Sequence, residues 1–214
     1  RMIRNIESSP LQIMRTLLLL FLFSCWSLQA QDKSGITGKQ DTSFANYSAW
    51  RSLLKEDPTV RLAEYQSSKC KVQSSVYKVI GARKLMVDEY SISSRKLPTL
   101  VFFHGGGWRT GHRSQHIPLA KALADRGYRV FLVEYRLSTE ALYPAAMLDA
   151  QAALQWVAKR KNVGEIYVGG YSAGGQMAAL LGSVQDENTY GKGVKISGSI
   201  DVDGILAFIH PESG

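Results

Sequence analysis

The sequence predicts an α/β domain with a mostly parallel sheet and helices on both of its faces. Between residues 72 and 203, β-prone runs alternate with stretches of helix-forming residues, as in successive βαβ units. Residues 100–103, Leu-Val-Phe-Phe, are continuously apolar, which is typical of a strand buried on both faces. Two glycine-rich segments each follow directly on a predicted strand, where open α/β sheets carry their functional sites.

The individual elements follow from local residue patterns. Gly127 is a suitable residue to end one helix, and Pro144 is a favourable residue through which to enter another. The two earliest strands are expected to pair antiparallel, since only a few residues separate them. The predicted strands are 72–79, 84–90, 99–103, 129–133, 165–168 and 196–203, and the predicted helices are 49–55, 117–126, 145–159 and 173–181.

One serine stands between a strand and a helix with almost no loop. Residues 170–174 read Gly-Tyr-Ser-Ala-Gly, and a sharp turn there would lift the Ser172 hydroxyl above the strand end. The unpaired amides of the helix start would favour negative charge developing beside it. The alternative is an ordinary glycine-rich turn with an idle serine.

A second glycine-rich segment favours the catalytic interpretation. Residues 104–108, His-Gly-Gly-Gly-Trp, follow the apolar strand that ends at residue 103. Acyl transfer needs N–H donors aimed at the oxyanion of a tetrahedral intermediate, and glycines let backbone amides approach a substrate closely. The two motifs in this order, each after its own strand, predict a serine-dependent hydrolase.

Residues 77–209 resemble the α/β-hydrolase superfamily, in particular the hormone-sensitive-lipase-like esterases and the bacterial feruloyl/acetyl esterase-like hydrolases. The segment 133–157, with its Tyr-Arg-Leu, Tyr-Pro-Ala, Asp, Ala and Trp, is similar to theirs. The resemblance implies that Ser172 is the nucleophile of a carboxylesterase. It also implies that the amides of Gly106, Gly107 and Ala173 hold the oxyanion.

The remaining members of a triad are expected beyond this sequence. In this fold the acid and the histidine follow the serine, after two later strands. Too few residues follow Ser172 for two further βα units of about 30 residues each. We therefore expect the chain to be the N-terminal part of a longer esterase, with a sheet that is incomplete at its C-terminal end. The alternative is a compressed triad of Asp201 or Asp203 with His210.

Composition and motifs exclude several other functions. Basic residues are scattered despite a net charge of +8, so nucleic-acid binding is not expected. No cofactor is predicted, because Thr110 replaces the third glycine of a G-x-G-x-x-G pattern and no phosphate-binding loop occurs. His112 and His116 could share a helix face as metal ligands, but without a third ligand nearby no metal site is predicted.

Several other residues have structural interpretations. His104 is expected to support the glycine loop, and Arg136 is expected to pair with Asp149 inside the domain. Trp108 either walls an acyl pocket or caps the core. Cys70 is interpreted as a small apolar filler.

The N-terminal segment is typical of a secretory signal. A basic residue, an apolar run at 17–23 and a small residue at Ala30 predict a signal peptide over residues 1–30, with translation starting at Met14. The run is far shorter than the roughly 20 residues that span a bilayer. A lipoprotein anchored at Cys25 is the alternative to a secreted or periplasmic protein. Residues 31–71 are a polar lead-in, and residues 72–214 are the N-terminal part of the hydrolase domain.

The resemblance and the signal peptide together suggest esters of carbohydrates, acetyl or feruloyl-like, or other small esters as substrates. Two alternatives are a non-catalytic binding protein of the same fold and an inactive fragment that lacks the acid and the histidine.

Overall fold

A six-stranded mixed sheet is the centre of the domain. The computed structural model describes residues 36–59, 61, 65–67, 69–183 and 193–206. The strands are β1 (Lys71–Ile80), β2 (Arg83–Ser91), β3 (Leu97–Phe103), β4 (Arg129–Val133), β5 (Val163–Tyr171) and β6 (Ile196–Val202), and the helices are α1 (Asn46–Glu56), α2 (Ile117–Asp125), α3 (Ala145–Ala158) and α4 (Ala173–Ser183).

The strands are arranged in the order β1-β2-β4-β3-β5-β6. The first pair is an antiparallel hairpin, and β2 is also antiparallel to β4. The pairs β3–β4, β3–β5 and β5–β6 are parallel. The predicted mostly parallel sheet with an antiparallel start is therefore confirmed.

Helices cover both faces of the sheet. Successive strand residues point to opposite sides, so each apolar strand contributes side chains to both helix layers. On one face, Ala120 and Ala124 of α2 pack with Leu100 and Phe102 of β3. On the other face, α3 and α4 pack over Phe103 and its neighbours, with the buried residues Val101, Phe131, Val133, Met147, Leu154, Met177 and Leu181. The domain therefore has the predicted two layers of helix around one sheet.

Three differences from the sequence-based expectation lie close to the glycine motifs or to the last strand. Strand β5 continues to Tyr171, because its glycines pair with β3 and β6 instead of forming a turn. A 3₁₀ turn, Arg113–His116, precedes α2. Strand β6 ends at Val202, and Asp203 follows it with φ +57°. Asp203 therefore lies just outside the strand that was predicted to include it.

Part of the polar lead-in is hydrogen-bonded to the sheet domain. The Thr37 amide donates to the Thr139 carbonyl at 2.8 Å, and the Ser67 hydroxyl donates to Asp125 at 2.6 Å. The half-buried Cys70 packs against the α2 face, as expected of an apolar filler.

The proposed leader lies outside the described part of the chain. That leader comprises residues 1–30, including Met14, Cys25 and Ala30. Among the residues that the structure does describe, no helix has the length and apolar character needed to cross a membrane.

Candidate active site

Ser172 lies at the junction of β5 and α4 with no intervening loop. Its φ is +51°, a left-handed backbone conformation that residues other than glycine rarely adopt. Its amide donates to the Val202 carbonyl at 2.8 Å, and its carbonyl accepts from the Gln176 amide at 3.0 Å. The strained residue is thus held by the end of β6 on one side and by the first turn of α4 on the other.

The glycine-rich loop after β3 lies directly beside this serine. Phe103, the last residue of β3, pairs in register with Gly170 of β5, so the two motifs leave the same edge of the sheet. A Cβ on Gly105 would stand 2.9 Å from the Tyr171 carbonyl oxygen and 3.3 Å from the Ser172 Cβ. The two motifs, each predicted to follow a strand, therefore lie side by side at the ends of β3 and β5.

The loop itself has a tight, left-handed backbone. Gly106 has φ +124°, Gly107 has φ +59° and Trp108 has φ +56°. The Gly106 carbonyl accepts from the amides of Arg109 and Thr110, both at 3.1 Å. A Cβ on Gly106 would collide with the Thr110 carbonyl, so this turn requires glycine.

Three backbone amides of the two motifs have no acceptor among the described residues. In the described part of the chain, the amides of Gly106, Gly107 and Ala173 donate to no protein acceptor. Ala173 is the first residue of α4, where the helix dipole adds partial positive charge. Unpaired N–H groups of this kind are the donors that an oxyanion site needs.

A mainly apolar cavity of about 470 Å³, with Arg109 and Arg136 also in its lining, lies between the glycine loop and helix α4. Trp108 lines this cavity and also packs against the main core. The other residues around the cavity include Gly107, Leu142, Tyr143, Met147, Gln176 and Leu180. Leu142 and Gln176 belong to no motif, and Tyr143 was noted only as part of the Tyr-Pro-Ala resemblance, with no sign that these three residues would meet here.

His104 supports the glycine loop from beneath. Its ring stacks on Tyr135 with centroids 4.3 Å apart, and the Tyr135 hydroxyl donates to its carbonyl at 2.8 Å. Its Nδ1 lies 2.9 Å from the Gly105 carbonyl, which can only accept, so Nδ1 carries the proton. Burial lowers the pKa of His104 to about 4, which keeps the ring neutral at pH 7. These contacts agree with its expected structural role.

Asp149 anchors the segment between β4 and α3, which forms part of the cavity wall. Its fully buried carboxylate accepts from Arg136 Nε at 2.7 Å and from Lys78 Nζ at 2.7 Å. It also accepts from the Arg136 amide at 3.1 Å. The Arg136–Asp149 pair is therefore present as predicted, and Lys78 is a partner that the sequence did not reveal.

His112 and His116 have structural environments. The Ser114 amide donates to His112 Nδ1 at 3.2 Å, which caps the 3₁₀ turn. The His116 ring packs edge-on against Phe102 at 4.8 Å, and burial lowers its pKa to about 4. No three His, Cys, Asp or Glu side chains within the described ranges come together as a metal site.

The base and acid of a triad are not assigned by the described residues. No histidine or carboxylate within them is hydrogen-bonded to the Ser172 hydroxyl, and His210 lies outside them. Asp201 lies close behind the first turn of α4, where a Cβ on Gly175 or Gly204 would meet its Oδ1. That oxygen is buried and has no hydrogen-bond partner in the described part of the structure.

Similar proteins were found by sequence. Carboxylesterase NlhH of Mycobacterium tuberculosis is 40% identical over 91 residues, covering 40% of this chain and 28% of the relative. Probable carboxylesterase 6 of Arabidopsis thaliana is 38% identical over 124 residues, covering 50% of this chain and 35% of the relative. The chain thus spans about a third or less of the length of these curated relatives.

The fold and the family are also supported by comparison. Esterase 2 of Thermogutta terrifontis, solved phosphonylated by cyclosarin, matches with a TM-score of 0.56 at 23% identity. The match covers 66% of this chain and 59% of that one, and at this identity it supports the fold alone. The BD-FAE family model matches residues 88–212, more than half of the chain. The chain therefore has the α/β-hydrolase fold and belongs to the BD-FAE family.

Proposed function

We propose that the protein is a serine-dependent carboxylic ester hydrolase. The observation that carries this proposal is the left-handed Ser172 at the β5–α4 junction, with the glycine loop packed against it. A strained backbone conformation persists only where the surrounding structure holds it, and such residues cluster at active sites. The carboxylesterase names of the sequence relatives support the same reaction class.

In the proposed reaction, the Ser172 hydroxyl attacks the ester carbonyl while a histidine base takes its proton. The amides of Gly106, Gly107 and Ala173 stabilise the oxyanion. The collapsing intermediate releases the alcohol and leaves an acyl group on Ser172, which water then removes. The histidine and its acid are to be sought outside the described residues.

The proposed substrates are small acyl esters, including acetyl and feruloyl-like esters of carbohydrates. The cavity of about 470 Å³ has a mainly apolar lining that includes Gly107 and Gln176, whose amide is hydrogen-bonded to the Ser172 carbonyl. Such a lining suits a short acyl chain or an aromatic acid. Trp108 would contact the acyl group. Truncating it should therefore change the ratio of activity on methyl ferulate to activity on acetyl esters.

A substrate panel tests the function. We expect hydrolysis of p-nitrophenyl acetate and p-nitrophenyl butyrate by the purified protein, and none of p-nitrophenyl phosphate, which has no acyl carbon. Acetylated xylo-oligosaccharides and methyl ferulate then distinguish the acyl groups. A folded protein that binds these esters without hydrolysing them would instead be the non-catalytic binding protein.

Export through residues 1–30 is a further part of the proposal. Residues 14–35 fused to a reporter that is active only outside the cytoplasm should give activity. Incorporation of labelled palmitate that is lost in Cys25→Ala would instead indicate a lipoprotein.

A further inference from the structure

A second cavity, strongly basic, opens at the opposite end of the sheet from Ser172. Its volume is about 830 Å³. Two of its lining residues fix this position, since Arg129 is the first residue of β4 and Asn162 immediately precedes β5. The cavity therefore lies at the amino ends of parallel strands. The charged residues that line it are Lys71, Glu89, Arg129, Lys159, Arg160 and Lys161. We call this the basic cavity.

Positive charge in the basic cavity exceeds its negative charge. Its lining has five cationic side chains and one carboxylate, Glu89. That carboxylate is already in close contact with Arg129 and stands 3.9 Å from Arg160. The lysines therefore find no counter-charge in the described lining. Cations held near one another repel, and a bound anion would relieve that repulsion.

Arg129 is the buried member of the group. Its side chain is 7% exposed and donates to the Ser93 carbonyl at 3.0 Å. Its Nε is buried and has no acceptor within the described residues. The Arg129 guanidinium adds its positive charge to the wall of the cavity, and a bound anion would stabilise that charge.

The end of helix α3 accounts for only part of this charge. Basic residues after Ala158 are favourable there, since they offset the negative end of the helix dipole. Lys71 and Arg129 come from strands β1 and β4, so the helix dipole does not explain why they line the same cavity. The neutral lining residues Gln73, Ser94 and Asn162 can donate hydrogen bonds as well.

We propose that the basic cavity binds a small molecule carrying two or more phosphate or carboxylate oxyanions. The size of the cavity is within the range of small-molecule sites. Several cations around one opening favour a polyvalent anion over a monovalent one. The proposal is independent of ester hydrolysis, because its residues contribute nothing to the Ser172 junction.

Calorimetric titration of the purified protein with sodium pyrophosphate, at ionic strength fixed by sodium chloride, tests the proposal. A parallel titration with citrate separates phosphate from carboxylate recognition. We expect saturable one-to-one binding of at least one of these anions. The double variant Lys159→Gln/Lys161→Gln, and independently Lys71→Gln, should raise the Kd, the double variant at least tenfold.

The matched control removes the same charge elsewhere. Lys84→Gln/Lys195→Gln changes two exposed lysines outside the basic cavity and should leave the Kd within twofold. Unchanged thermal unfolding and p-nitrophenyl acetate hydrolysis in all variants would show that the fold and the Ser172 site are intact. Equal weakening by both pairs, no saturable binding of either anion, or binding of an oligonucleotide alone would overturn the proposal.

Discussion

Gly174 packs directly on the carbonyl group of Phe103, so the helix that follows Ser172 and the strand that precedes the glycine loop are in backbone contact. Phe103 is the last residue of β3, and Gly174 is the second residue of α4. The distance between the serine and the loop therefore depends on a position where no side chain fits.

The first prediction concerns this contact. Gly174→Ala would drive a Cβ into the carbonyl groups of Phe103 and His104, and neither main chain can move without shifting β3. We expect destabilisation of about 1–3 kcal/mol, as for other overpacked cores, together with loss of ester hydrolysis. Urea unfolding and turnover of p-nitrophenyl acetate measure the two effects.

A control for this variant is Gly198→Ala on the edge strand β6. There the nearest atom to the new methyl group is 3.3 Å away, in the Tyr167 side chain, which can move. We expect nearly wild-type stability. Equal effects of the two substitutions would mean that the Gly174 contact has no special importance.

The second prediction compares two neighbouring glycines of the loop. Gly106→Ala adds a Cβ that collides with the Thr110 carbonyl, whereas Gly107→Ala meets nothing within 4 Å. The first should displace an oxyanion donor and lower kcat by about 10² or more. The second should cost only the left-handed strain of about 1 kcal/mol. A Gly106→Ala enzyme with reduced stability but unchanged kcat per folded molecule would make the loop purely structural.

The third prediction concerns the buried carboxylate of Asp149. Asp149→Asn leaves the Arg136 guanidinium without its anion, which in buried pairs costs about 3–5 kcal/mol. Lys78→Met removes the partly exposed partner and keeps the Arg136 pair, so it should cost about 1 kcal/mol or less. Chemical denaturation of the two variants checks the order, and a larger loss in Lys78→Met would contradict it.

The fourth prediction is a stability that falls in acid. Burial lowers the pKa of both His104 and His116 from 6.5 to about 4, so the unfolded chain takes up their protons first. The free energy of unfolding should therefore decrease as the pH falls from about 6.5 to about 4, by up to about 1.4 kcal/mol per pH unit for each histidine. His116→Phe should remove one such contribution, since its ring packs on Phe102. An identical pH slope in the variant would show that His116 titrates normally.

Much of the fold could be predicted because the decisive signals are local. The apolar run of β3, the proline before α3 and the two glycine motifs each identify an element from neighbouring residues. The glycines before Tyr171 misled the prediction of β5, because their strand conformation comes from hydrogen bonds to β3 and β6. Glycine has a low intrinsic preference for strands, so the local sequence predicts a turn. Pairing with neighbouring strands outweighs that low preference here.

The glycine motifs and the serine of the site could be predicted from the sequence, but most of the residues that line the cavity could not. Ser172 and Gly106 come from motifs whose spacing implies their geometry. By contrast, Tyr143 and Gln176 line the cavity from separate parts of the chain, and Lys78 pairs with Asp149 across a similar separation. Contacts of that kind depend on strand order and helix packing, which no short pattern contains.

Labelling with a fluorophosphonate, followed by peptide mapping, tests the central claim most directly. A serine is labelled quickly only when its hydroxyl is activated and an oxyanion site accepts the phosphoryl oxygen. Ser183→Ala at the end of α4 is the control, since that hydroxyl donates to the Leu180 carbonyl of its own helix and is not part of either glycine motif. We predict one label, on Ser172, absent from Ser172→Ala, whose kcat on p-nitrophenyl acetate should fall on the order of 10⁶-fold. Labelling at another residue, or wild-type turnover by Ser172→Ala, would contradict the assignment.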